Sequence, residues 1–287
     1  MANLKEIRNR ITSIKSTMQI TSAMKMVSAA KLKKAQDAIT AMRPYSSKLT
    51  ELLQNLSATL DSDASSEYSK PREVSKVLMV AITSNRGLCG GFNSSITKGV
   101  IRTIQEKYSN VKVDIFSIGK KGGDVLAKKV NVVEKRNDIY DDLTFDNVAA
   151  IAEELMVLYT NGTYDKIELV YNQFKNAATQ ITQVEQFLPI KPIEGGEEIS
   201  GADYIFEPSK EEIVLALIPK SLKTQLYKAI RDSFASEHGA RMTAMHKATD
   251  NAKDLRDDLL LTYNKARQAA ITNEILEIVG GAEALKN

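Results

Sequence analysis

The stretch LKEIRNRITSIKSTMQIT, Leu4–Thr21, decides the fold. Leu4, Ile7, Ile11, Ile14, Met18 and Thr21 step by three and four. That spacing lines one seam of a helix that needs a second helix against it. No glycine interrupts residues 3–58, and the one proline, Pro44, is expected to kink the helix rather than end it. Residues 1–58 therefore read as one coiled-coil helix. Downstream, Asp61–Pro71 is polar, Ser-rich and turn-prone, so 59–73 reads as a flexible linker.

Residues 74–208 change character. Val77–Thr83 and Lys112–Ile118 are short Val- and Ile-rich runs, each followed by glycines and then a helical pattern. Lys166–Phe174 and Gln180–Ile190 read as further strands, with Phe145–Tyr159 a helix among them. Alternating strands and helices predict an α/β domain with a mostly parallel sheet. Residues 209–287 return to helix, interrupted between 220 and 284 only by Gly239. Leu255, Leu259, Thr262, Ala266, Ala269, Asn273 and Leu276 repeat the seam spacing, and Pro208 and Pro219 fall ahead of it, where proline is tolerated.

At 1.5 Å per residue the two helices reach ~80 and ~95 Å. A middle domain of about 120 residues has a radius of gyration near ~14 Å, too small to carry the chain back over that distance. The pairing is therefore expected to be antiparallel, with the α/β domain at one end of a rod. Toward the C-terminus, Ile271, Ile275, Ile278 and Ala282 share a stripe while Leu276 and Val279 lie off it. A helix apolar on more than one side needs more than one neighbour, so this end is expected to enter an apolar socket of another protein.

Composition narrows the function. The single cysteine, Cys89, excludes an internal disulfide framework, and no apolar run approaches the ~20 residues that span a bilayer. Residues 1–30 lack the apolar core of a secretory signal, so the pattern predicts a cytoplasmic chain beginning near Met1. Net charge is +3, but the first helix carries Lys5, Arg8, Arg10, Lys15, Lys25, Lys31, Lys33 and Lys34 against Glu6 alone. Such a helix seeks acidic partners: nucleic acid, anionic lipid or an acidic protein loop. Nucleic acid is the rival from another class, but the helix lacks interleaved aromatics for base stacking.

No catalytic constellation emerges. Asn85–Asn93, NRGLCGGFN, follows a strand and precedes a helix, where a phosphate loop would sit, yet it matches neither G-x-x-x-x-G-K-[ST] nor G-x-G-x-x-G. Gly119–Gly123, with Lys120 and Lys121, is an equally weak candidate. Tight turns with close backbone approach account for both better. His238 and His246 fall on the last helix, on a solvent or seam face far from Cys89, so no metal site is expected.

Ile20–Lys34, ITSAMKMVSAAKLKK, resembles the N-terminal helix of the gamma subunit family of F-type ATP synthases. Ala240–Asn251, ARMTAMHKATDN, and Tyr263–Ala282, YNKARQAAITNEILEIVGGA, resemble its C-terminal helix. The turn TSNRGLCGGFN is also similar, with Asn85 where an Asp is usual, and the paired regulatory cysteines of chloroplast relatives are absent. The fold implied is α+β: an antiparallel coiled coil of the terminal helices with an inserted α/β, Rossmann-like domain. The resemblance further implies a bacterial central-stalk rotor shaft with no active site, cofactor or metal of its own. It would be peripheral to the cytoplasmic face of the inner membrane. Its partners would be three alpha and three beta subunits, the epsilon subunit and the membrane c-ring, with no nucleic acid and no small-molecule substrate. Arg267 and Gln268 would meet the catch loop of the catalytic subunits, and Met24 and Lys25 the acidic lever loop of beta. Ile275, Leu276 and Val279 would line the bearing tip, and Tyr204 and Glu207 the foot on the membrane ring and epsilon.

Overall fold

A computed structural model describes residues 4–57, 68, 72–190 and 210–284. The chain divides into two compact units, Met1–Ser28 with Met242–Asn287, and Ala29–Arg241. Two long helices, α1 (Leu4–Ser57) and α5 (Lys210–Ala284), contribute to both. The expected linker 59–73 lies mostly outside the described residues.

The Ala29–Arg241 unit is built on five strands: β1 (Lys76–Ile82), β2 (Lys112–Ile118), β3 (Asn131–Arg136), β4 (Lys166–Phe174) and β5 (Gln180–Leu188). Their spatial order is β3-β2-β1-β4-β5. The first four are parallel and β5 runs antiparallel at the edge. β1 is central and buried on both faces, which is why Val77–Ile82 reads as one apolar run rather than an alternation. Leu78, Val80 and Ile82 point into one core with Val148, Leu155 and Tyr159 of α4 (Phe145–Thr160) and Leu222, Leu226 and Ile230 of α5. Val77, Met79 and Ala81 point into the other, with Phe92, Ile96 and Val100 of α2 (Phe92–Lys107). A short α3 (Lys120–Leu126) links β2 to β3.

β3 was not legible beforehand. As an edge strand its residues alternate between exposed and half-buried, and Glu134, Lys135 and Arg136 mask it as a polar loop. Two punctuation residues also behave otherwise than expected. Pro219 lies inside α5, not ahead of it. Its missing backbone donor is outweighed by its neighbours, since Ile218 and Leu222 are buried in the sheet core. Gly239 does not interrupt the helix either. A Cβ there would stand 3.2 Å from the Ala177 Cα, so the glycine lets α5 approach the β4–β5 connection.

Candidate partner-binding surface

Within the Met1–Ser28 and Met242–Asn287 unit, the seam of α1 lies where the periodicity placed it. Leu4, Ile11, Ile14 and Met18 are half-buried, and Ile7 and Thr21 are buried. On α5 the seam is shifted. Ala252, Arg256, Leu259, Tyr263, Ala266 and Ala270 are half-buried, whereas Leu255, Thr262, Ala269, Asn273 and Leu276 are exposed. Leu259 and Ala266 belong to both tracks, Leu255, Thr262 and Ala269 give way to the next residue, and Asn273 and Leu276 fall in the stretch that is exposed throughout. The cause is amphipathic side chains: the Arg256 stem and Tyr263 ring supply apolar surface that a count of aliphatic residues misses.

Polar contacts cross between the helices among the described residues. Arg8 Nη2 donates to Tyr263 Oη at 2.6 Å, and this bond raises the Arg8 pKa above its ordinary value. The Thr21 and Thr249 hydroxyls meet at 2.8 Å, and Lys25 Nζ lies 3.3 Å from His246 Nδ1. Numbers climb on α1 as they fall on α5, so this pair is antiparallel. None of these crossings was anticipated, because each pairs residues over two hundred positions apart.

Met24 and Lys25 are half-buried on α1, and the structure brings Lys25 together with His246 and Asp250. It does not bring Arg267 and Gln268 to them. Those two lie one turn past Tyr263, opposite the first turn of α1, and both are exposed. Every residue from 271 to 283 is exposed. Ile275, Leu276 and Val279 show 54%, 62% and 55% of their surface. A Cβ at Gly280 or Gly281 would meet nothing within 4 Å, so no close approach among the described residues calls for those glycines. Tyr204 and Glu207 lie outside the described residues.

The two glycine turns have structural explanations in the other unit. A Cβ on Gly119 (φ +95°) would lie 2.0 Å from the Thr83 carbonyl oxygen, and one on Gly122 would lie 2.3 Å from Thr83 Cγ2. Close packing against Thr83, its backbone at Gly119 and its side chain at Gly122, requires these glycines. In the earlier turn, Asn85 donates through Nδ2 to the Asn137 carbonyl (2.6 Å) and accepts at Oδ1 from the Lys120 amide (3.1 Å). Arg241 Nη2 donates to the carbonyl of Arg86 at 3.0 Å and, through Nη1, pairs with Glu237 at 2.5 Å. Burial raises the Glu237 carboxyl despite Arg241. Cys89 is buried and accepts from Asn93 Nδ2 at 3.2 Å. His238, expected on a solvent or seam face, is instead buried edge-on against Phe234, ring centroids 4.5 Å apart. Neither of its ring nitrogens has a partner. Burial first, then Arg241 and Lys31, push it down to about 3. Its neighbours Ser236 and Glu237 are polar, yet both are buried too.

The ATP synthase family matches residues 3–285 of the chain. The ATP synthase gamma chain of Flavobacterium psychrophilum is 73% identical over 286 residues, covering 100% of both chains. The chain belongs to the ATP synthase gamma chain family. The gamma chain of Cytophaga hutchinsonii is 54% identical, again covering 100% of both. Among solved structures, the central stalk and c-ring of the Tetrahymena thermophila mitochondrial ATP synthase contains a similar chain. The TM-score is 0.60 at 27% identity, covering 80% of this chain and 99% of that one. The OSCP/F1/c-ring structure of the Euglena gracilis mitochondrial enzyme shares the fold, with TM-score 0.70 at 24% identity over 98% and 94% of the two chains. As a gamma chain, this protein is a central-stalk subunit of the ATP synthase. Among the described residues no helix is long and apolar enough to cross a membrane.

Proposed function

We propose that this gamma chain acts purely as a mechanical coupler, with the chemistry carried out on its partners. A ring of three alpha and three beta subunits surrounds the helical pair, and the epsilon subunit and membrane c-ring hold its foot at the cytoplasmic face of a bacterial inner membrane. One chain has no threefold symmetry, so it presents different faces to three identical sites. Differential contact of this kind is what shifts conformational equilibria, and each third of a turn exchanges the roles of the sites.

The observation that carries this reading is the run 271–283, exposed throughout and studded with Ile271, Ile275, Leu276, Ile278 and Val279. Exposed apolar surface of that extent marks a partner site. Ile275, Leu276 and Val279 line the bearing tip, Arg267 and Gln268 engage the catch loop, Met24 and Lys25 face the acidic lever loop of beta, and Tyr204 and Glu207 form the foot. Magnitude supports a distributed mechanism. One charge crossing 100 mV yields ~2.3 kcal/mol, so roughly three across ~200 mV give about 14 kcal/mol per step. A surface salt bridge contributes about 0–1 kcal/mol, so no single contact bears the load. Replacing Arg267→Ala together with Gln268→Leu is expected to lower ion-driven ATP synthesis several-fold while the complex still assembles. Unchanged synthesis in reconstituted vesicles removes both residues from the interface.

A further inference from the structure

One ring nitrogen in the helical unit is contested by two groups. His246 Nδ1 lies 3.3 Å from Lys25 Nζ across the seam and 3.4 Å from Asp250 Oδ2, one turn along α5. Among the described residues, these are the charged groups seen against the ring, one from each helix. An ammonium only donates and a carboxylate only accepts. The nitrogen therefore serves one neighbour at a time. Without a proton it accepts from Lys25 and its lone pair repels Asp250. With a proton it donates to Asp250 and repels Lys25. Histidine is the side chain that ordinarily exchanges these forms between about pH 5 and 8.

We propose that His246 is a positioning residue for Lys25. Unprotonated, it holds the ammonium against the seam; protonated, it turns to Asp250 and releases the ammonium toward an acidic segment of the partner. The release has somewhere to go. Lys25 is half-buried as a residue, Met26 and Val27 beside it are exposed, and the His246 and Asp250 side chains are 56% and 60% exposed, so the cluster borders open surface. The exchange of partners stands on the geometry alone, and the destination of the released charge rests on the reading of Met24 and Lys25 as a partner contact.

The two parts are separable in the assembled complex with 15N-labelled histidine in this chain only. Its two histidines are His238 and His246. His238 is buried and neutral, and supplies a constant signal. Solid-state NMR is expected to find the His246 proton on Nε2 at the basic end of the histidine range and on both nitrogens at the acid end. Lys25→Met is expected to mix the two neutral tautomers. A proton on Nδ1 at the basic end, or a tautomer indifferent to Lys25→Met, overturns the exchange. The second readout is the ratio of ATP hydrolysis rates at about pH 6 and about pH 8. His246→Asn places an acceptor at the Nδ1 position that takes no proton, and is expected to move that ratio about two- to threefold, the size one exposed charged contact supplies. Lys25→Met is expected to abolish the effect of His246→Asn. An NMR exchange with a ratio that neither variant moves overturns the release and removes Lys25 as a partner contact, while leaving the exchange intact.

Discussion

The two units of this chain spend their apolar residues in opposite ways. In the sheet unit every residue of β1 after the first is buried, and helices cover both faces. Among the described residues of the helical unit, Ile7 and Met245 are the buried apolar ones, while Ile20, Met26, Val27, Leu255, Leu260, Leu261 and the C-terminal run are exposed. The difference is geometric: a sheet can be covered on both faces, whereas two helices side by side bury one stripe each. The first unit covers both faces of its own sheet. The second carries surface that another protein must cover.

The sharpest way to break this contrast is to damage the sheet unit. Leu226 is fully buried against the sheet, so Leu226→Ala should cost about 3 kcal/mol, read from chemical denaturation. A loss as small as that of an exposed position would mean the core is not self-sufficient. Acid should attack the same unit. Burial depresses the His238 pKa, so above its ordinary value both folded and unfolded states are neutral and stability is complete. As pH falls below that value the unfolded chain takes up a proton that the native one refuses. Stability then declines by about 1.4 kcal/mol per pH unit, until the folded value of about 3 is reached. Denaturation midpoints at successive pH values should show this slope, and His238→Gln should flatten it.

A smaller effect is expected at Asn85, whose amide both donates and accepts. Asn85→Asp turns the donor facing the Asn137 carbonyl into an acceptor and should cost about 1–2 kcal/mol. A neutral result would show that the turn readjusts around a carboxylate. The smallest effect belongs to the helical unit. Leu255→Gln should change stability by less than about 0.5 kcal/mol, because Leu255 is exposed rather than in the seam. A loss of several times that amount would restore the seam read from aliphatic spacing alone.

How legible each region was follows from the same geometry. β1, β2 and β4 were visible because strands covered on both faces are dominated by apolar residues, even though β2 and β4 also bury Asp114, Ser117, Glu168 and Asn172. β3 escaped because an edge strand under partial cover tolerates Glu134, Lys135 and Arg136. The α1 seam was visible because Ile7, Ile11 and Ile14 have no rival track. The α5 seam was misplaced because Leu255, Leu260 and Leu261 offer a false one, and these leucines are exposed. Of the site residues, the exposed tip could be anticipated from apolar positions on more than one side of a helix. The Lys25–His246–Asp250 cluster could not, since nothing in either segment announces the other.

By itself the sequence determined that two long terminal helices enclose a mostly parallel α/β domain, because hydrophobic period and turn residues are local properties. It also determined kinship, through the long ungapped register of Tyr263–Ala282. Only the tertiary structure decided which residues meet: the α5 seam, the buried His238, the approach of α5 at Gly239 to Ala177, and the contested nitrogen of His246. Those depend on how distant segments are rotated against each other. A rotation of one helix position changes every contact while leaving the spacing of apolar residues along the chain untouched.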